Sequence, residues 1–202
     1  MSGLIPSRRS PKLGDGRIVQ MVRESDRAWH AGVSSWHGRG DVNSRSIGIE
    51  IANPGHRFGY PDFPPVQIDA VIAVCRGIIA RYAIRPEQVL AHSDVAPGRK
   101  VDPGEKFPWA ALHAAGVGHL VEPAPFRDGP MIAEGDRGEL VGALQSMLAG
   151  YGYGIQVTAE FDAATTTVVA AFQRHFRPDR IDGVADRSTI ETLQALSLRK
   201  AV

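Results

Sequence analysis

The chain has 202 residues, 43% of them apolar, which supplies one sizeable core or two modest ones and excludes disorder as the main state. Lys and Arg total 23 against 22 Asp and Glu, so a net charge of +1 gives no basis for the phosphate-dominated binding that nucleic acid demands. The single cysteine, Cys75, rules out an intramolecular disulfide and a thiolate zinc cluster, leaving any metal to His and carboxylates.

Residues 1–15 are rich in Ser, Arg, Pro and Gly without helix or strand period, and read as an irregular arm. They contain no apolar stretch of a secretory signal, and no run along the chain reaches the roughly 18 to 20 apolar residues that span a bilayer. The chain as written is therefore expected in the cytoplasm, and in the cell envelope only if the natural N-terminus lies upstream. After Asp15-Gly16, the run Arg17 to Val22 suits a short strand, with Ile18 and Val22 flanking Gln20. Trp29-His30-Ala31-Gly32 leads into a polar, Gly-rich loop through Ser44.

The clearest strand is Ser46 to Ile51, where Ile47, Ile49 and Ile51 alternate with Ser46, Gly48 and Glu50. One face is predicted to be core and the other to present Glu50. Ile68, Val71, Ile72, Cys75, Ile78, Ile79 and Tyr82 recur at helical spacing behind Pro65, predicting a helix over 65–82. Val89-Leu90-Ala91 reads as a buried strand that delivers His92 into the Pro/Gly-rich loop Ser93 to Pro108. A first domain over 16–120 is followed by a Pro-rich linker at 121–130. Beyond it, the sets Leu140, Leu144, Met147, Leu148, then Val168, Val169, Phe172, Phe176, then Ile190, Leu193, Leu196 predict three short amphipathic helices packed as a module over 131–200. Asp136 with Glu139, and Ser188 with Glu191, have the spacing of capping boxes.

Four residues carry candidate chemistry. Glu50 stands on the open face of its strand, where a carboxylate is either a general base or simply solvated. His92 and Asp102 are both good zinc ligand types, and the loop between them can fold both onto one ion, although a loop His and a solvated Asp fit the same spacing. Lys100 lies two positions before Asp102. Trp29 and His30 are a possible substrate-binding pair or, equally, a core indole beside an exposed imidazole. His37, His56, His113, His119 and His175 have no convergent spacing and are read as surface residues.

Taken in order, Trp29-His30-Ala31-Gly32, Ser46-Ile47-Gly48-Ile49-Glu50-Ile51, Tyr60-Pro61, the string His92-Ser93-Asp94-Val95-Ala96-Pro97-Gly98-Arg99-Lys100-Val101-Asp102-Pro103-Gly104, and Phe107-Pro108-Trp109 resemble the zinc-dependent N-acetylmuramoyl-L-alanine amidases of the AmpD and AmiD type. The second half has its own pattern: Gly135-Asp136, Leu144-Gln145, Gly152-Tyr153, Phe161-Asp162, Ala171-Phe172-Gln173 and Asp182-Gly183 resemble the three-helix peptidoglycan-binding domain often attached to cell-wall hydrolases. The resemblances imply an α/β fold with a mixed central sheet flanked by helices, like that of peptidoglycan-recognition proteins, plus a small all-α domain. They imply peptidoglycan or a muropeptide as partner, and hydrolysis of the amide joining N-acetylmuramic acid to L-alanine. By the same resemblance one Zn2+ is held by His92 and Asp102, Glu50 is the acid/base, and Lys100 is the cation near the oxyanion.

The family pattern also has a further zinc-binding histidine, on an early strand that ends in a His-Tyr-Thr-like motif, followed by a helix and a second strand. All precede the point corresponding to Gly16. Here that point is preceded by 15 residues with no histidine, so the third ligand is missing from its expected place, and His30 or His37 are the only substitutes at hand. Three readings stay open: a zinc amidase, a non-catalytic peptidoglycan-binding protein, and a metal-free structural or interaction protein. Oligomeric state is not readable from the sequence.

Overall fold

The computed structural model describes residues 14–199; the predicted arm lies almost wholly outside them. In chain order it comprises α1 (Pro65–Tyr82), α2 (His92–Val95), α3 (Trp109–Ala114), α4 (Glu139–Tyr151), α5 (Ala163–Phe176) and α6 (Arg187–Arg199), with short 3-10 turns between.

The helix α1 forms where the period predicts it. Pro65 opens it, a position where a missing N–H costs nothing, and Ala83 closes it in the left-handed region at φ 50°. Its buried face, Ile68, Val71, Cys75 and Ile78, packs with Tyr60, Phe63, Phe107, Leu112 and Val117 into one apolar cluster. Each such side chain is worth about 1.5–3 kcal/mol when removed from water.

The predicted strands are a different matter. Among the described residues there is no strand: 17–22, 46–51 and 89–91 run as chain without a ladder, and the bridges present are isolated pairs. Residues 47–51 make no backbone hydrogen bond to any described residue. Nor is the alternation converted into a buried face, since Ile49 is 39% exposed and Glu50 is exposed beside it, while Ile18, Val19, Met21 and Val22 are exposed in turn. The physical reason is that a strand satisfies its amides only through a neighbour. None of these segments lies in register with another, and cavities of about 760 and 750 Å3 flank 46–51 on its two sides, both reaching α1.

The C-terminal helices form as predicted, but not through the predicted caps. Asp136 accepts from Ala133 N–H at 2.8 Å instead of capping α4, whose N-cap is Gly138. At α6 the cap is Asp186, which accepts from Thr189 N–H at 2.8 Å, while Ser188 donates to Ala124 O. Asp162 caps α5 in the same manner through Thr165 N–H at 2.8 Å.

Two buried glutamines then repeat one device. Gln145 accepts from Thr158 and Ala159 N–H and donates to Glu160 O and Thr165 Oγ1. Gln173 accepts from Asp182 and Gly183 N–H and donates to Val184 O and Thr189 Oγ1. Each ties a connecting loop to the start of the next helix, so the module carries an internal repeat.

The segment read as a linker is anchored. Val121 is buried in the core, Ala124 N–H donates to Thr192 Oγ1 at 3.0 Å, and the Phe126 ring lies 4.8 Å from the Arg177 guanidinium. The core runs through it: Trp36, Val42, Val95 and Ala96 join Val121, Leu144, Phe161, Phe172, Leu193 and others in a single apolar cluster.

Candidate active site

Glu50, His92, Lys100 and Asp102, singled out from the sequence, all line the same 760 Å3 cleft, between residues 45–51, one side of α1 and the loop after His92. His92 opens α2, where Ala96 N–H donates back to its carbonyl at 3.0 Å. Ser93 N–H donates to Asp102 O at 3.0 Å, which folds the loop back on itself. That closure sets the two side chains face to face, with His92 Nδ1 2.9 Å from Asp102 Oδ2. The hydrogen bond from His92 holds the Asp102 carboxyl below the usual carboxylate range, and the charges of His92 and Lys100 act in the same direction.

The pair has the chemistry of a zinc half-site. Two ligands at about 2.0–2.1 Å on one tetrahedral ion sit about 3.3 Å apart, so a separation of 2.9 Å needs only a few tenths of an ångström of opening. The number of donors, however, falls short. Catalytic zinc sites take about three protein ligands plus water, and no group of three His, Cys, Asp or Glu able to hold a metal occurs among the described residues. Residues 1–13 contain none of those four types. Among the described residues, the donors brought together are His92 and Asp102, one short of that number.

Neither proposed substitute fills the gap. His30 Nε2 pairs with Ser46 Oγ at 2.9 Å, and because that hydroxyl donates to Val42 O, the ring nitrogen is its donor and not a free ligand atom. His37 donates its backbone N–H to Gly152 O at 2.8 Å and stacks edge-on to Trp36, on the far side of the Gly-rich loop. Trp29 borders the cleft with its indole 81% exposed and the Arg27 guanidinium 4.2 Å from its ring, an open platform where a core residue was the alternative.

Two residues near this turn were given no role in the sequence reading. Arg99 donates to Val33 O at 3.0 Å and to Ala31 O, which puts its Nη2 3.4 Å from His92 Nε2 and closes the rear of the imidazole. His175, read as a surface residue, is buried against Asp94. Its position was legible, because it lies three residues after Phe172 on the inward face of α5. His56 is exposed, as read, and pairs with Glu105 at 2.9 Å, while the half-buried His119 meets the Tyr151 hydroxyl at 3.0 Å.

A cleft that gathers Glu50, His92, Lys100 and Asp102, followed by a module of three helices, is the arrangement of a hydrolase with an appended domain, and the comparisons with known proteins say of which kind. Residues 13–105 match the N-acetylmuramoyl-L-alanine amidase family model and residues 137–193 a peptidoglycan-binding domain. The chain is 40% identical over 208 residues to N-acetylmuramoyl-L-alanine amidase AmiD of Escherichia coli, covering 96% of this chain and 71% of that protein. It is 40% identical over 114 residues to the 1,6-anhydro-N-acetylmuramyl-L-alanine amidase AmpD of Citrobacter freundii, 56% of each.

Among solved structures, AmiD of Escherichia coli bound to anhydro-N-acetylmuramic acid-L-Ala-D-gamma-Glu-L-Lys superimposes with a TM-score of 0.76 at 40% identity, over 92% of this chain and 73% of that one. AmpDh3 of Pseudomonas aeruginosa with anhydromuramic pentapeptide gives 0.75 at 34% identity, over 92% and 74%. The chain belongs to the N-acetylmuramoyl-L-alanine amidase family, with an amidase-like fold and a peptidoglycan-binding module. Among the described residues no helix is long and apolar enough to cross a membrane.

Proposed function

We propose that this chain is a zinc-dependent N-acetylmuramoyl-L-alanine amidase, with Glu50, His92, Lys100 and Asp102 as its working residues. The observation that carries this reading is the common cleft, in which the His92–Asp102 pair faces inward together with Glu50 and Lys100. The Glu50 carboxylate takes a proton from the water that attacks the muramoyl amide carbonyl and delivers one to the departing L-alanine nitrogen. The Lys100 ammonium stabilises the oxygen that gains charge as the carbonyl becomes tetrahedral. Trp29 offers a flat apolar surface to sugar or stem peptide.

Zinc is the cofactor this reading calls for, and His92 and Asp102 are the residues that would hold it. The same reading takes 16–120 as the hydrolase domain and 131–200 as the wall-binding domain.

A second reading is favoured by one specific observation, the missing donor: a protein that binds peptidoglycan without cutting it. One assay separates the two. The chain, and its Glu50→Gln variant, are incubated with peptidoglycan and zinc, and new L-alanine amino termini and bound protein are both measured. An amidase releases termini, at a rate that falls about 100-fold or more in Glu50→Gln. Sedimentation with the sacculus at equal strength in both proteins, with no new termini, sinks the catalytic reading and sustains the second.

A further inference from the structure

The best-connected buried carboxylate in the molecule belongs to neither module alone. Asp94, two residues after His92, is fully buried and accepts three hydrogen bonds of 2.7 Å each: from Ala91 N–H, from His175 Nδ1 and from the Tyr153 hydroxyl. The first comes from the turn that carries His92. The other two cross from the wall-binding module, one from α5 and one from the segment after α4.

The crossing groups are themselves fixed. The His175 ring is stacked between Trp109, at 3.8 Å between centroids, and Phe176, at 3.9 Å. Tyr153 meets Trp36 edge-on at 5.1 Å, and a backbone bond braces the same seam, His37 N–H to Gly152 O at 2.8 Å. An isolated carboxylate in such a dry site would be strongly disfavoured, so its orientation is set by its donors.

What Asp94 holds is the approach to the site. Its bond to Ala91 N–H closes the entry to α2, and two residues on, Ser93 N–H is bonded to Asp102 O. The turn therefore sets both the direction of the His92 imidazole and its register with Asp102. We propose that Tyr153 and His175 are positioning residues of the amidase site: through Asp94 they aim His92, so that the wall-binding module is part of the cleft's construction and not only an address for the polymer. The inference rests on His92 being a working residue, and its test reads the geometry of the site rather than turnover.

The full chain, isotopically labelled, is compared with Tyr153→Phe and His175→Phe, each of which deletes one donor and keeps an aromatic ring in place. Hydrogen exchange at the Ser93 and Ala96 amides and the ring 15N resonances of His92 are followed by NMR. We expect exchange at both amides to rise by about ten-fold or more and the His92 ring signals to move, with His175→Asn, which keeps an N–H donor at the Nδ1 position, restoring Ser93 protection at least in part. Leu148→Val, a core variant of α4 that lowers Tm without touching Asp94, serves as the control. If the two Phe variants lower Tm but leave the amides and the His92 ring as they were, or if Leu148→Val moves them as far, the contacts are a structural staple only and the proposal is overturned. Shifted His92 signals in a chain that cleaves no peptidoglycan would sustain this inference while removing the catalytic reading.

Discussion

The two halves of the molecule solve the same problem with unequal success. In the C-terminal module every helix satisfies its own backbone, and the loops between helices are tied down by Gln145 and Gln173. Phe161, Phe172, Leu193 and Leu196 are fully buried. In the N-terminal half the segments 17–22, 46–51 and 89–91 have strand-like composition and no ladder. The difference lies in where the hydrogen-bond partner comes from. A helix finds it four residues away, whereas a strand needs another strand, so a shortage of strands strands its neighbours and leaves helices untouched. The helix α1 illustrates the point inside the weaker half, keeping its full length beside a cavity.

The largest expression of this contrast should be in hydrogen exchange. Amides of residues 47–51 are expected within about ten-fold of the unprotected rate, while those in the middle of α5 and α6 should be slowed by about 10,000-fold or more, as opening them requires global unfolding. Native-state exchange read by NMR or mass spectrometry checks this. Protection at 47–51 equal to that of α5 would mean that these residues are paired in solution, and the comparison would collapse.

How much was legible in the sequence follows the same division. The helix at 65–82 was read to the residue, and the three later helices were each found from their apolar period, because local periodicity is a local fact. The caps were misassigned, since Asp136 and Ser188 match the spacing rule but Gly138 and Asp186 occupy the position where the chain turns. The strands at 17–22 and 46–51 were equally clear as patterns and still did not form. Alternation says which face a strand would bury but not whether a partner exists. In the site, residue types and order pointed to Glu50, His92, Lys100 and Asp102, and the cleft unites them. Arg99, Asp94, Tyr153 and His175 were given no role, because their roles depend on contacts between positions from 59 to 81 residues apart.

Substitution should reveal the same asymmetry in stability. Phe172 is completely buried among Tyr153, Phe176 and the helices of the module, so Phe172→Ala is expected to cost about 3–5 kcal/mol. Ile49 is 39% exposed beside a cavity, and Ile49→Ala should cost no more than about 1 kcal/mol, because little area is lost and the space is already open. Urea denaturation of the two variants measures both. A similar loss at the two positions would show that 46–51 is packed in solution as firmly as α5, and would sharpen the search for what covers it.

The smallest predicted effect is one of pH, and it lies at the seam between the halves. Burial pushes the Tyr151 and Tyr153 hydroxyls well above the ordinary tyrosine value, and the Asp94 carboxylate adds to the shift in both. A folded-state value above the unfolded one means that the native state prefers the protonated phenol. The corresponding stability is fully present below the unfolded value of about 10 and is lost as the pH rises beyond it, because only the unfolded chain can then release the proton. Each buried tyrosine should steepen the fall by about 1.4 kcal/mol per pH unit above pH 10. Urea midpoints taken between pH 9 and pH 11 should therefore decline, and Tyr151→Phe should make the decline shallower by about half of what the pair contributes. A wild-type midpoint that stays level across this interval would mean that the phenols ionise in the native state, and hence that the seam between cleft and module admits water.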